Sequence, residues 1–124
     1  MTTLSDAARN AAVEAVTDLV DGGTIEFQTA ASAVVATLGL SDPAFGAAAS
    51  GTVTANAITP DTDTTGNASP VTKAVFKAAG GATVWTVPVV EGSPSAGEIG
   101  LSSTVFNDGD EAKIISYTHT QPAS

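Results

Sequence analysis

The chain has no cysteine, which removes disulfide frameworks and thiolate metal sites together. Basic residues are scarce: Arg9, Lys73, Lys77 and Lys113 stand against thirteen acids, for a formal charge of −9. Affinity for nucleic acid comes largely from Lys and Arg neutralising phosphates, so no nucleic-acid partner is expected. Aromatic residues are few, with four Phe, one Trp and one Tyr, and histidine occurs once. No apolar run approaches the roughly 20 residues that span a membrane, so no membrane partner is expected either. The start, MTTLSDAARNAAVEAV, lacks the basic residues and apolar stretch of a secretion signal. The expectation is a soluble protein made in the cytoplasm.

What is present is mostly Ala, Thr, Gly, Val and Ser. Small and β-branched residues in this mixture suit thin, tightly packed sheets joined by short turns. A length of 124 residues is one domain, residues 1–124, and is long enough for one hydrophobic core. No internal repeat of fixed period occurs.

The first twenty residues carry a helical period. Leu4, Ala8, Ala11 or Ala12, Ala15, Val16 and Leu19 fall on one stripe, which predicts an amphipathic helix over 4–20 lying close against a flat surface. Thr3 followed by Asp6 resembles a capping box with a short acid. Gly22 and Gly23 end the pattern, as glycine past a helix commonly does.

From Thr24 the period changes to two. TIEFQT puts Ile25 and Phe27 on one face, and AVVATLGLS puts Val34, Ala36, Leu38 and Leu40 together. GTVTANAI sets Val53, Ala55 and Ala57 against Thr52, Thr54 and Asn56. VTKAVFKA aligns Ala74, Phe76 and Ala78 opposite Lys73, Val75 and Lys77. AGGA, residues 79–82 with Gly80-Gly81 at its centre, makes a hairpin turn into TVWTVPVV. EIGLSSTVF and EAKIISYTHT complete the series, with NDGD as a second tight turn between them. Seven short strands with turn residues between them predict a mainly β fold: an antiparallel sandwich of jelly-roll or immunoglobulin-like type over 24–120. Pro88 within the fifth strand marks an edge or a bulge. Two longer polar loops remain, at 60–70 and 91–97.

The candidate sites resolve into turns. In PDTDTTGN, Asp61, Asp63, Thr65 and Gly66 stand where a calcium-binding helix-loop-helix carries its first ligands and turn glycine. Such a loop needs a bidentate Glu at its twelfth position, where this chain has Thr72, and helices at its flanks, where this chain has strands. The expectation is a polar surface connection. NDGDE, with Asp108, Asp110 and Glu111, is explained by the hairpin preference of Asp-Gly, and a cation there would need a second loop to complete its shell. His119 has no nucleophile-elbow serine to serve, so it is expected to be a solvated strand residue. Trp85 is expected in the core. Asn67-Ala68-Ser69 fits a glycosylation sequon, but Pro70 follows it. The small-residue stretch LSDPAFGAAASG, with Pro43 and Phe45, suits close backbone approach either within the fold or against another subunit. No catalytic, cofactor-binding or metal-binding residue is assigned, no cofactor is expected, and no enzymatic activity is expected.

Taken as a pattern, LSDAARNAAVEAVTDLVDGG, TIEF, VATLGLSDPAFGAAASGTVTANAI, VTKAVFKAAGGATVW and the closing TQPA resemble a type of small protein encoded in tailed-bacteriophage structural gene clusters. The resemblance covers nearly the whole chain and carries no catalytic motif. It implies a virion component built from a short helix and a small β-sandwich, decorating and stabilising a capsid from its outer surface. The implied partners are the major capsid protein and copies of the chain itself, in a trimer. The alternative is a tail, neck or fibre-associated protein that binds another virion protein or a host surface glycan.

Overall fold

The structure, a computed structural model, describes residues 4–67, 69–94, 98–101, 103–114 and 117–120. Among the described residues, one helix, α1 (Asp6–Asp18), precedes seven strands: β1 (Thr24–Thr29), β2 (Val34–Gly39), β3 (Thr52–Thr54), β4 (Val71–Lys77), β5 (Thr83–Glu91), β6 (Ile99–Leu101) and β7 (Thr118–Thr120). Five form one sheet in the order β2-β1-β4-β5-β6, and β3 pairs with β7 in a separate two-stranded ribbon. The fold is therefore mainly β with one N-terminal helix. It departs from an all-antiparallel sandwich, because β6 runs parallel to β5. The turn-rich composition of 91–97 suggests a reversal but does not fix a direction. Here the chain leaves β5 at Gly92 and returns to begin β6 beside Val89. Residues 95–97 of that loop lie outside the described residues.

Helix α1 starts at Ser5, whose hydroxyl accepts the Ala8 N–H at 3.2 Å. This hydroxyl satisfies one of the orphan donors of the first turn. Ser5 thus replaces the expected Thr3 cap, and Thr3 itself lies outside the described residues. The helix is also rotated from its expected setting. Val13, Thr17 and Val20 are buried, whereas Ala8, Ala11, Ala15 and Leu19 of the alanine stripe face outward, Leu19 being 59% exposed. An alanine methyl gains little from burial, so three larger side chains at i, i+4 and i+7 decide which face turns inward. The Thr17 hydroxyl, buried with them, donates to the Val13 carbonyl at 2.9 Å. Polar side chains complete the docking. Asn10 Oδ1 accepts the Gly51 N–H, Glu14 Oε2 the Ala48 N–H, and Asp21 Oδ1 the Ala44 N–H, each at 2.8 Å. These bonds tie the small-residue stretch to the fold at Ala44, Ala48 and Gly51, with Ala44 and Phe45 buried and Gly46, Ala47, Ala49 and Ser50 left exposed.

Strand β1 has the expected bounds and pairs with both β2 and β4. A bulge opposite Phe27 and Gln28 skips Val35, so that Gln28 faces Val34. Consequently Val35 and Ala36 are both buried and Val34 turns outward, 45% exposed. The strict alternation expected for Val34, Ala36 and Leu38 fails there, because one extra residue inverts the facing of everything before it. Strands β4 and β5 form the hairpin expected around AGGA. Ala78 N–H donates to Ala82 O, Gly81 N–H donates to Ala78 O, and Gly81 adopts φ +96°. The core lies on the inner face of the main sheet, with Ile25, Phe27, Leu38 and Phe76 fully buried beside Val13 and Val20 from the helical end.

The last two expected strands are shorter than the sequence suggests. Among the described residues, EIGLSSTVF forms a strand at Ile99–Leu101, and EAKIISYTHT forms one at Thr118–Thr120 with Ala112 in an isolated bridge to Asp61. Ser102, Ile115, Ser116 and the closing 121–124 lie outside the described residues. No helix among the described residues is long and apolar enough to cross a membrane.

Candidate functional site

The two acidic loops, distant in sequence, lie against each other. Asp61 and Ala112 exchange backbone hydrogen bonds of 2.9 and 2.7 Å. Gly109 N–H donates to Thr64 O at 2.8 Å and Thr64 N–H to Asp110 O at 3.1 Å. Thr64, 2% exposed, also donates its hydroxyl to Asn107 O at 3.1 Å. Gly66 N–H completes the seam by donating to Asp108 Oδ1 at 2.6 Å.

The carboxylates of this seam mostly hold backbone donors. Asp61 Oδ1 accepts the Asp63 N–H and Oδ2 the Thr37 N–H, both at 2.9 Å. Asp110 Oδ2 accepts the Asn107 N–H at 2.8 Å, closing the NDGD turn. Gly109 takes φ +84°, the left-handed conformation that an Asp-Gly turn supplies cheaply. Thr72, at the twelfth position from Asp61, lies in β4. Among the described residues, no group of three His, Asp or Glu is placed to hold a metal ion.

The first of these loops has a structural task that the sequence concealed. β2 is an edge of the main sheet, and residues 59–65 run along its outer side. Gly39 and Thr59 exchange two backbone bonds, of 3.0 and 2.8 Å. Thr37 N–H is taken by the Asp61 carboxylate, and Val35 O by Thr65 N–H at 2.9 Å. A row of unpaired donors and acceptors invites strand addition, and this segment occupies it. At the other side of the sheet, among the described residues, β6 pairs with β5 along Val89–Glu91. Pro88 immediately precedes that paired stretch, where a residue without an N–H cannot recruit a further strand.

The second assembly is aromatic. Phe76 on β4 and Trp85 on β5 are register partners, and their rings stack with centroids 4.4 Å apart and 12° between planes. Phe45 and Tyr117 close around them, Tyr117 lying 5.0 Å from Phe76 and 6.0 Å from Phe45. Trp85 is partly buried and packs against this core rather than within it, short of the core position expected. Its Nε1–H is buried with no acceptor in bonding geometry. The Tyr117 hydroxyl is nevertheless near enough for the indole to favour its phenolate slightly. Burial outweighs that effect and pushes the Tyr117 pKa above its ordinary value.

His119 differs from its expected role. It is half-buried on β7 opposite Val53, and its ring lies 4.9 Å from that of Trp85 at 31°. Burial lowers its pKa below the usual histidine value. Neither this contact nor the edge-covering loop has a local motif. Each depends on partners brought together from separate strands. Asn67 of the sequon is engaged on both ends of its amide. Oδ1 accepts the Phe106 N–H at 2.8 Å, and Nδ2 donates to Thr104 O at 3.2 Å and to Ser69 O. Ala68 lies outside the described residues.

No protein-family model, curated protein or solved structure matches the chain.

Proposed function

We propose that the chain is a non-enzymatic structural protein of a bacteriophage virion, decorating and stabilising the capsid through contacts with the major capsid protein and with copies of itself. In this reading the five-stranded sheet and the β3–β7 ribbon are the two layers of a small open sandwich, joined through Phe76, Trp85 and Tyr117. The observation that carries the proposal is the use made of the acidic loops. Their carboxylates bind backbone amides and knit residues 59–66 to 107–112, so the acidic end of the molecule is preorganised. A rigid surface loses little conformational entropy when it docks, which favours a protein whose task is repeated attachment. Repetition over a lattice then multiplies a modest single-site affinity. The acidic charge of −9 keeps decorated particles apart. The resemblance to small virion proteins points the same way.

Quantitative mass spectrometry of purified particles tests the proposal. Decoration requires a copy number comparable to that of the major capsid protein, with a trimer as the released unit. A copy number matching a single ring would transfer the protein to the tail or neck. Absence from mature particles would remove both virion roles.

A further inference from the structure

We propose that Asp21-Gly22 and Asp108-Gly109 are sites of spontaneous isoaspartate formation, that the fold shuts each with the same two-bond clip, and that the clip at Asp108 opens first. The chain contains two Asp-Gly pairs and no Asn-Gly pair. In an Asp-Gly pair the glycine has no Cβ to shield its nitrogen from the neighbouring carboxyl. That nitrogen can attack the Asp Cγ. A C–N bond forms, and one carboxyl oxygen departs as water with the nitrogen's proton and the carboxyl's own. The resulting five-membered imide takes up one water at either carbonyl. One opening restores Asp, and the other leaves the backbone running through the former side-chain carboxyl. Water is the single co-reactant.

The reaction needs a glycine nitrogen and a carboxyl that can turn toward each other, and the fold engages both groups elsewhere. Gly22 N–H donates to Ser41 O at 2.9 Å, while Asp21 Oδ1 accepts the Ala44 N–H at 2.8 Å. Gly109 N–H donates to Thr64 O at 2.8 Å, while Asp108 Oδ1 accepts the Gly66 N–H at 2.6 Å. Both glycines are left-handed, at φ +67° and +84°. Each dipeptide thus grips a remote segment at one carbonyl and one amide. The same two bonds commit the nucleophile and its electrophile to separate partners.

The clips differ in what must move to release them. Ala44 is fully buried, and Asp21 directly follows Val20, which is fully buried too. Opening that clip disturbs the core where α1 meets β1, so it belongs with the most protected openings of the molecule. Gly66, Asp108 and Gly109 are all exposed. Their turn is fastened by Thr64, whose N–H donates to Asp110 O and whose hydroxyl donates to Asn107 O, both at 3.1 Å. Residues 107–111, NDGDE, have no apolar side chain. Lifting this turn breaks surface hydrogen bonds and withdraws no apolar side chain of its own from the core, which is a local opening.

The test holds the wild-type protein at neutral pH and physiological temperature, in buffer and across a urea series that ends in the unfolded chain. Isoaspartate is located by peptide mapping with mass spectrometry, and the unfolded chain supplies the unprotected rate of each site. In buffer both sites should react at least about tenfold more slowly than when unfolded, the factor that two net hydrogen bonds supply. Asp108-Gly109 should be the less protected site. Below the unfolding transition its rate should also rise less steeply with urea, because a small opening exposes little surface. Thr64→Val removes the hydroxyl bond to Asn107 and leaves both dipeptides intact, so it should reduce protection at Asp108-Gly109 more than at Asp21-Gly22. Four results would each overturn the proposal: protection below that factor at either site, protection at Asp108-Gly109 equal to or greater than that at Asp21-Gly22, the same urea dependence at both, or a Thr64→Val effect no larger at Asp108-Gly109. Both sites are read in one wild-type sample, so the outcome does not depend on the variant folding.

Discussion

The Asp61 carboxylate accepts the Thr37 N–H at 2.9 Å across 24 residues of sequence, capping the outer edge of β2 with a side chain in place of a strand. The same carboxylate accepts the Asp63 N–H, so one residue both covers the edge and shapes the loop that covers it. Replacing it by alanine should free the Thr37 amide. The site is open to water, which can replace the lost acceptor, so the expected loss is about 1 kcal/mol, the ordinary net value of one hydrogen bond. Asp61→Asn retains an acceptor and should lose less. Denaturant unfolding measures the cost, and amide exchange at Thr37 locates it. Equal stability of Asp61→Ala and wild type would remove the capping role.

Calcium should not stabilise the protein. Asp61 Oδ1 and Oδ2, Asp108 Oδ1 and Asp110 Oδ2 already accept backbone N–H groups. A cation would have to displace those bonds or use the remaining oxygens, and the twelfth-position residue, Thr72, is committed to β4. Thermal melting in calcium chloride, matched for ionic strength with sodium chloride, should show no calcium-dependent rise. A rise that saturates with calcium would reveal a ligand binding the folded state alone.

These two expectations show what the sequence makes legible. The bounds of β1, the AGGA hairpin and the Asp-Gly turn are local, because residues 24–29, 78–82 and 107–110 contain their own instructions. The setting of α1 was not legible. Alanines give a regular stripe but little energy, and the rotation follows from Val13, Thr17 and Val20 together with Asn10 and Glu14 reaching chain segments 34 to 41 residues away. The bulge at Val35, the parallel pairing of β6 and the stack of His119 on Trp85 are likewise tertiary choices. A period of two says that strands exist. It does not say which lie side by side or in which direction they run.

Glycine positions should separate into two kinds. Gly23 is buried at the start of β1, and a Cβ added there would run into the Lys77 carbonyl oxygen on the neighbouring strand. Its own carbonyl meanwhile accepts the Leu40 N–H at 3.0 Å, which leaves the backbone little freedom to retreat. Gly23→Ala should therefore cost about 3 kcal/mol or more, at the upper end for a single substitution. Gly80, in the exposed hairpin turn, has nothing within 4 Å of an added Cβ. Gly80→Ala should stay within about 0.5 kcal/mol of wild type. Reversal of that order in denaturant melts would mean that the β1–β4 approach at Gly23 is looser than this geometry requires.

Tyr117 should make the fold sensitive to alkali. Burial raises its pKa, and the nearby indole of Trp85 only partly offsets that effect. The folded protein thus keeps the phenol protonated at a pH where the unfolded chain begins to lose the proton, near 10. Stability is complete below that unfolded value and falls as pH rises through it, because the unfolded state releases its proton first. The comparison that isolates the tyrosine is with Tyr117→Phe. Phenylalanine keeps the ring against Phe76 and Phe45 but has nothing to ionise. Denaturant midpoints followed through the alkaline range should fall more steeply for the wild type than for Tyr117→Phe, and phenolate absorbance should appear together with unfolding. Parallel profiles for the two proteins, or phenolate absorbance rising in the still-folded protein at the free tyrosine value, would show that the hydroxyl is solvated and that the aromatic cluster is open at this side.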